Sequence, residues 1–217
     1  MMIDTEEQAR AFVAERCSDD ALAALERFAD ELLVEAEKQN LIANSTTDML
    51  WQRHFADSAQ LLDHVPRETG GRDGDPWLDL GTGAGFPGVV TAIMRPDRPH
   101  ILVESRARRV EWLERVVALA GLKHCRVLHS RLEKVDSFPA SVITARAFAP
   151  LPQLIALSAR FSTDATTWLL PKGRSAAQER EELDSPQREM FHVKQSVTSP
   201  DAAILVGIGR PKARSRR

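Results

Sequence analysis

Apolar residues recur every three or four positions over the first 65 residues, and this spacing predicts helices. The clearest apolar stripe, the face that an amphipathic helix buries, consists of Ala21, Leu22, Leu25, Phe28, Ala29, Leu32, Leu33 and Ala36. A further helix is predicted to begin near Thr47 or Asp48, because either side chain can cap it, and to run as far as Leu62.

The pattern changes after residues 66–76, which are rich in proline, glycine and charge and predict a loop. Short apolar runs of strand length then alternate with helical segments, of which 106–120 is the clearest. The runs are 77–80, 101–103, 126–128, 142–144 and 167–170. This alternation predicts a parallel sheet covered on both faces, because parallel strands need crossover connections. Two final runs, 190–193 and 203–208, predict an antiparallel hairpin at the end of the sheet.

These patterns divide the chain into a helical region 1–66, an α/β domain 67–209 and a basic tail 210–217. With 217 residues, 43% of them hydrophobic, the chain can bury a core that needs no disulfide or metal. Cys17 and Cys125 lie far apart, with no cysteine or histidine at ligand spacing, so we expect no metal site and a reducing, cytoplasmic location. No apolar stretch is long enough for a membrane span and the acidic start is unlike a signal peptide, so we expect no membrane partner.

The formal net charge of −2 is unevenly distributed. Residues 1–65 carry a balance of −9, and residues 66–217 carry +7. Clustered lysine and arginine side chains attract polyanions such as nucleic acid, although separate solvated acidic and basic faces would give the same balance. Charge alone therefore leaves both interpretations open.

The most informative segment is a strand followed by three alternate glycines, Gly81, Gly83 and Gly85, and then by Phe86 and Pro87. Proline is tolerated in the first turn of a helix, so this order predicts a strand, a tight turn and a helix. Glycines at such a junction allow a ligand to approach the backbone closely. Because the string read from Gly83 is also G-x-G-x-x-G, the glycines alone fit either a dinucleotide or S-adenosylmethionine.

Two acids accompany the glycine loop. Glu104 ends the next predicted strand, where a carboxylate can accept both hydroxyl protons of a ribose, a group that both cofactors contain. Asp79 stands two residues before the first glycine. Backbone carbonyls and carboxylates near that position can hold the ammonium of a methionine moiety, whereas a dinucleotide needs a helix N-terminus free for its pyrophosphate. The pattern therefore favours S-adenosylmethionine, with Gly81, Gly83, Gly85 and Glu104 binding it.

Several motifs in a fixed order resemble the RsmG (GidB) family of small-subunit ribosomal RNA guanine-N7 methyltransferases. They are Asn40-Leu41, the H-x-x-D-S element 54–58, the glycine loop 79–88, and the segments 104–113, 130–133, 143–149 (with R-A-F-A) and 170–173 (L-P-K-G). The glycine loop is generic, but the other elements in this order are specific. The resemblance covers the chain from about residue 40 to 209. Ile42 and Pro171 depart from the family's usual N-L-T and L-K-G patterns.

The resemblance implies a Rossmann-like class I methyltransferase fold with a seven-stranded, mostly parallel sheet. It implies methyl transfer from S-adenosylmethionine to N7 of a guanine in the 530 loop of 16S rRNA, at position 527. The RNA partner would be 16S rRNA or the small ribosomal subunit, and we expect a monomer without metal. The cofactor site of the family falls on Gly81, Phe86, Leu132, Glu133 and Arg146 of this chain.

Arg146 follows the fourth predicted strand and is the residue to which we assign a catalytic role. Its guanidinium could donate to guanine O6, to a phosphate or to the methionine carboxylate, or could cap the turn at Ala149-Pro150. Guanine N7 already carries a lone pair, so alignment of the reactants is needed and a general base is not. His54, Asp57 and Ser58 share one helical face, which the resemblance places over the cofactor.

Three other classes remain open from the residues alone. A small-molecule methyltransferase would usually have a lidded apolar pocket and no basic surface. A regulatory module that binds S-adenosylmethionine or a nucleotide would need the glycine loop without Arg146. An NAD oxidoreductase also fits the glycines, although little chain is left for its substrate domain.

Overall fold

The structure is a computed structural model that describes residues 2–65 and 74–211. Its strands are β1 Trp77–Leu80, β2 His100–Glu104, β3 Cys125–His129, β4 Val142–Ala145, β5 Thr167–Lys172, β6 Phe191–Gln195 and β7 Ala203–Ile208. Its α-helices are α1 Glu6–Ala14, α2 Asp19–Ala36, α3 Asp57–Ala59, α4 Gly88–Met94, α5 Ala107–Leu119, α6 Leu151–Ser158, α7 Ala176–Glu181 and α8 Ser185–Met190. The 66–73 part of the predicted loop and the 212–217 part of the predicted tail lie outside the described residues.

The strands form a single seven-stranded sheet in the order β3-β2-β1-β4-β5-β7-β6. Strands β1 to β5 run parallel, and β7 is antiparallel to both β5 and β6. The predicted fold class and terminal hairpin are thereby confirmed. The order reverses between β2-β1 and β4-β5, and in such sheets ligands bind at the carboxyl ends of the strands beside this switch point.

The N-terminal helices form within the stretch where periodicity predicts them. The side chains of Thr5 and Ser18 accept hydrogen bonds from the first turns of α1 and α2. Leu25, Phe28 and Leu32 are fully buried along the predicted stripe of α2. The inclusion of Leu33 in that stripe was wrong: it is 40% exposed, because the helix turns it about 100° away from Leu32.

The third helical segment begins earlier than predicted. It starts as a 3-10 helix, Asn44–Met49, continues as a π-helix, Trp51–Ala56, and ends with α3 and a second 3-10 turn, Gln60–His64. Neither Thr47 nor Asp48 caps it. The Thr47 hydroxyl instead donates to the Asn44 carbonyl at 2.7 Å, and the Glu6 carboxylate of α1 accepts the amides of Trp51 and Gln52, each at 2.8 Å.

A hydrophobic cluster lies on each face of the sheet. One cluster joins α1, α2 and the 44–64 segment to α4 and α5, so the N-terminal region shares a core with the sheet. The other lies under α6 and contains Trp168 and Phe161. All four tryptophans, Trp51, Trp77, Trp112 and Trp168, are at most 2% exposed and pack in the interior.

Candidate active site

The glycine loop leaves β1 in a conformation that favours glycine. Gly81, Gly83 and Gly85 have φ angles of +66°, +60° and +116°, all in the left-handed region. A Cβ atom at Gly81 would lie 2.7 Å from a ring carbon of Phe148, and one at Gly85 would lie 2.7 Å from a ring carbon of Phe28. The backbone conformation and the close packing of two aromatic rings both require glycine here.

Asp79 anchors the loop from inside the core. Its fully buried carboxylate accepts the backbone amide of Gly88 at 3.2 Å and the hydroxyl of Thr144 at 2.7 Å. Burial raises the pKa of Asp79 to about 6. The carboxylate thus ties β1 to β4 and to the start of α4. It lines neither of the cavities described below, so the expectation that it would face a methionine ammonium is not supported.

Glu104, at the end of β2, holds the loop from the other side. Its carboxylate accepts the backbone amides of Gly83 at 3.0 Å, Ser105 at 2.7 Å and Arg106 at 2.9 Å. The Arg109 guanidinium lies 4.0 Å away. Glu104 is only 5% exposed, yet it borders an open cavity, so a buried, oriented carboxylate is presented at its wall.

The first cavity, of about 380 Å³, lies at the carboxyl ends of β1, β2, β3 and β4. Four of the predicted cofactor residues line it: Gly81, Glu104, Leu132 and Glu133. The rest of its lining is Val103, Ser105, Arg106, Arg109, Ser130, Arg131, Ala147, Phe148, Ala149, Gln153 and Leu157. The structure does not place the other predicted residues, Gly83, Gly85, Phe86 and Arg146, in this lining.

Phe86 lies in the interior beneath the loop and not in the cavity wall. It is 2% exposed, and its ring centroid lies 4.9 Å from that of His54 and 5.4 Å from those of Phe28 and Phe55. The Arg146 guanidinium covers it at 5.1 Å. The predicted cofactor residue Phe86 therefore supports the loop and the groups around it.

Arg146 follows β4 and is held by the 44–64 segment. Its guanidinium lies 3.7 Å from the Asp57 carboxylate, 3.0 Å from Nδ1 of His54 and 3.4 Å from the carbonyl of Arg53. It does not cap the turn at Ala149-Pro150, the structural alternative for this residue. Burial lowers the pKa of Arg146, against the opposing charge of Asp57.

His54 is neutral in this arrangement. Burial, followed by the charges of Arg146 and Arg53, lowers its pKa to about 3. A guanidinium can only donate, so Nδ1 of His54 accepts from Arg146, and Nε2 carries the proton 3.0 Å from the Thr46 hydroxyl. The Ser58 hydroxyl donates to the His54 carbonyl at 2.7 Å. Of the three residues on the predicted helical face, His54 and Asp57 therefore contact Arg146. Ser58 instead bonds to the backbone of its own helical segment.

The second cavity, of about 540 Å³, lies at the carboxyl ends of β4 and β5, and Arg146 belongs to it. It shares Ala147, Phe148 and Ala149 with the first cavity. Its other lining residues are Arg53, Pro150, Pro171, Lys172, Gly173, Glu179 and Ala202. Glu179 was missed by sequence reasoning, because only the folded chain brings the short helix α7 to Lys172, which lies 2.7 Å from the Glu179 carboxylate.

Neither cysteine fits a nucleophile. Burial raises the pKa of Cys125 to about 12, and burial raises that of the half-buried Cys17 thiol. Within residues 2–65 and 74–211, no three histidine, cysteine, aspartate or glutamate side chains form a group that could hold a metal ion. In the same part of the chain, no helix has the length and apolar character needed to cross a membrane.

Two solved structures that share the fold are methyltransferases. A putative O-methyltransferase from Klebsiella pneumoniae superposes with a TM-score of 0.55 at 15% identity, covering 84% of this chain and 90% of its own. A SAM-dependent methyltransferase from Aquifex aeolicus gives a TM-score of 0.51 at 16% identity, covering 70% and 89%. The fold is therefore that of the SAM-dependent methyltransferases.

Sequence relatives define the family. The family profile of rRNA small subunit methyltransferase G (GidB) matches residues 21–203. The ribosomal RNA small subunit methyltransferase G of Erythrobacter litoralis is 58% identical over 211 residues, which cover 97% of this chain and 100% of the relative. That of Novosphingobium aromaticivorans is 50% identical over 209 residues, covering 95% and 90%. The chain belongs to the rRNA small subunit methyltransferase G family and is a methyltransferase, which excludes the oxidoreductase and regulatory-module alternatives.

Proposed function

We propose that this protein transfers a methyl group from S-adenosylmethionine to N7 of a guanine in 16S rRNA, in the 530 loop that the resemblance indicates. The observation that carries the proposal is a pair of adjoining cavities at the switch point of the sheet. One is bordered by the glycine loop and an oriented carboxylate, and the other by cations. Two reactants can thus be held side by side at the edge where such folds bind ligands.

The first cavity fits S-adenosylmethionine. The glycine loop borders it at Gly81, and the buried carboxylate of Glu104 at its wall can accept the hydroxyl protons of a ribose. Gly81, Glu104, Leu132 and Glu133 would hold the cofactor, while Gly83, Gly85 and Phe86 shape the loop. S-Adenosylmethionine supplies an electrophilic methyl group when bound. The protein's task is then to bind, orient and exclude water.

Attack by guanine N7 needs no general base in the second cavity, because the N7 lone pair is already free. Asp57 and Glu179 each accept donors from neighbouring side chains, and the depressed pKa of His54 keeps that ring neutral. What this side of the site offers is the Arg146 guanidinium, which can donate to guanine O6 or to a phosphate. We assign Arg146 to the RNA side of the reaction, because it lines only the second cavity.

The test is methyl transfer from labelled S-adenosylmethionine to 16S rRNA, offered naked and within small subunits that lack the modification. We expect label at guanine N7 in the 530 loop of at least one substrate. Absence of label from both, with calorimetry showing that the cofactor binds, would refute the proposed substrate. Arg146→Lys keeps the charge but loses the planar fork, so we expect a lower kcat with little change in cofactor affinity.

A further inference from the structure

One aromatic side chain, Phe148, stands between the two cavities and lines both. It is half-buried and lies over the glycine loop, so close that a Cβ at Gly81 would be 2.7 Å from its ring. Ala147, directly before it, has a φ of +52°, a left-handed conformation that a residue with a Cβ rarely adopts. Strained backbone of this kind persists where the surrounding structure enforces it, and it concentrates at functional sites. Here it holds the ring in the shared wall.

The rest of the second cavity suits a flat heterocycle that carries a phosphate. Pro150, Pro171 and Phe148 give it apolar walls, and Arg53 and Arg146 are cations beside them. The exposed Arg53 guanidinium forms no salt bridge within the described part of the chain. The volume of about 540 Å³ falls in the usual range for small-ligand sites. A nucleotide combines these two requirements.

Phe148 is the one aromatic residue among those that line either cavity in the described chain. The described rings within stacking or edge contact of one another do not include it, so its exposed face is not already used by a neighbouring ring. Enzymes that modify a base take it out of the stack and hold it against aromatic or apolar side chains. Phe148 is thus the ring at the wall that the two cavities share, together with Ala147 and Ala149.

We propose that the second cavity holds the target base of the RNA, unstacked from its neighbours, and that the purine stacks on Phe148. This inference rests on the proposed function. It assigns the binding of the RNA base to Phe148 and leaves cofactor binding to the first cavity. The ring then fixes the plane of the purine, and with it the direction of the N7 lone pair.

The test compares Phe148→Leu, which keeps an apolar side chain without a ring, with Phe148→Tyr, which keeps the ring. Phe138→Leu is the control, because Phe138 is also half-buried but packs on Phe161 at 5.0 Å and lines neither cavity. The measurements are kcat/KM for 16S rRNA or small subunits and the calorimetric Kd of S-adenosylmethionine. If the leucine variant melts at a lower temperature, Phe148→Met provides a second side chain without a ring.

We expect Phe148→Leu to lower kcat/KM for the RNA about 5- to 150-fold, the range expected when a base–aromatic stack is removed, with the cofactor Kd within about twofold of wild type. Phe148→Tyr should keep kcat/KM much closer to the wild-type value than Phe148→Leu does, and Phe138→Leu should behave like wild type. An unchanged kcat/KM, or a cofactor Kd that weakens in parallel, would overturn the assignment. Failure of the proposed function is a separate result: the wild-type protein would then methylate no guanine.

Discussion

The Asp57 carboxylate lies 3.7 Å from the Arg146 guanidinium, and this ion pair joins the N-terminal helical segment to the end of β4. Both side chains are largely enclosed, with 17% and 24% of their surface exposed. Asp57 also accepts hydrogen bonds from Thr198 and Gln60, each at 2.9 Å. The orientation of the arginine at the second cavity therefore depends on residues outside the α/β sheet.

Replacing Asp57 by asparagine should destabilise the protein by roughly 3 kcal/mol, because it leaves the enclosed Arg146 charge without its partner. The asparagine oxygen can still accept from Thr198 and Gln60, whereas its NH2 group replaces the oxygen that faces Arg146. Urea unfolding of Asp57→Asn measures it. The control is Asp63→Asn, which removes a more exposed pair with Arg16 and should cost below about 1 kcal/mol. Equal costs would contradict the importance of the enclosed pair.

The free energy of unfolding should depend on pH in a way that shows that His54 is neutral in the folded protein. Its pKa is about 3 in the folded protein and 6.5 in the unfolded chain, so only the unfolded chain takes up the proton between these values. The stabilising contribution is complete above pH 6.5 and is lost as the pH falls towards 3. The free energy of unfolding of wild type minus His54→Gln should therefore fall by about 1.4 kcal/mol per pH unit below about pH 6.

Urea titrations of both proteins at about pH 7, 6 and 5 give this difference. The raised pKa of Asp79, about 6, has the opposite effect on stability, because the folded state then retains the proton. That group is present in both proteins and cancels in the subtraction. A difference that stays constant from about pH 7 to 5 would show that His54 titrates normally.

Glu104→Gln should weaken S-adenosylmethionine binding about tenfold or more. The carboxylate accepts three backbone amides, and a glutamine amide group would turn a donor towards one of them. A buried donor without an acceptor costs about 1 to 3 kcal/mol, and the loop shifts to relieve it. Calorimetry measures the Kd, with Glu111→Gln on the exposed face of α5 as the control. Wild-type affinity in Glu104→Gln would remove this residue from the cofactor site.

The parts of the site that were predictable are those encoded locally. Three alternate glycines after a strand predict a turn with positive φ angles without any other information. Glu104 follows the first of them at the distance expected for the end of the next parallel strand. Gly81 and Glu104 line the first cavity, and so do Leu132 and Glu133, which only the family resemblance indicated. The parallel sheet and its terminal hairpin followed from local periodicity in the same way.

The parts that could not be predicted depend on contacts between distant residues. Glu6 caps a helix that begins some 45 residues later, so the start of that helix carries no cap of its own. Arg146 is held by His54 and Asp57 across about 90 residues, and no periodicity encodes such a contact. Asp79 was interpreted from its place beside the glycines, but only the folded sheet shows that its carboxylate is directed to Thr144.

The basic tail leads to a prediction that rests on charge alone, because residues 212–217 lie outside the described part of the chain. Arg210, the first residue of the tail, donates to the Ser162 carbonyl at 3.0 Å and should be kept. Deletion of 212–217 removes Lys212, Arg214, Arg216 and Arg217 and changes the formal net charge from −2 to −6. We expect weaker RNA binding at unchanged cofactor affinity.

The salt dependence of RNA binding distinguishes charge from structure in this tail. The logarithm of the RNA association constant falls linearly with the logarithm of the salt concentration. For every phosphate that the tail no longer neutralises, this slope should become less steep by about 0.7 for single strands and about 0.9 for duplex. A variant that keeps the full tail but replaces Lys212, Arg214, Arg216 and Arg217 by glutamine should match the deletion, because both remove the same four charges. If the glutamine variant instead binds RNA like wild type, or if cofactor affinity falls along with RNA affinity, the tail acts through contacts other than phosphate pairing.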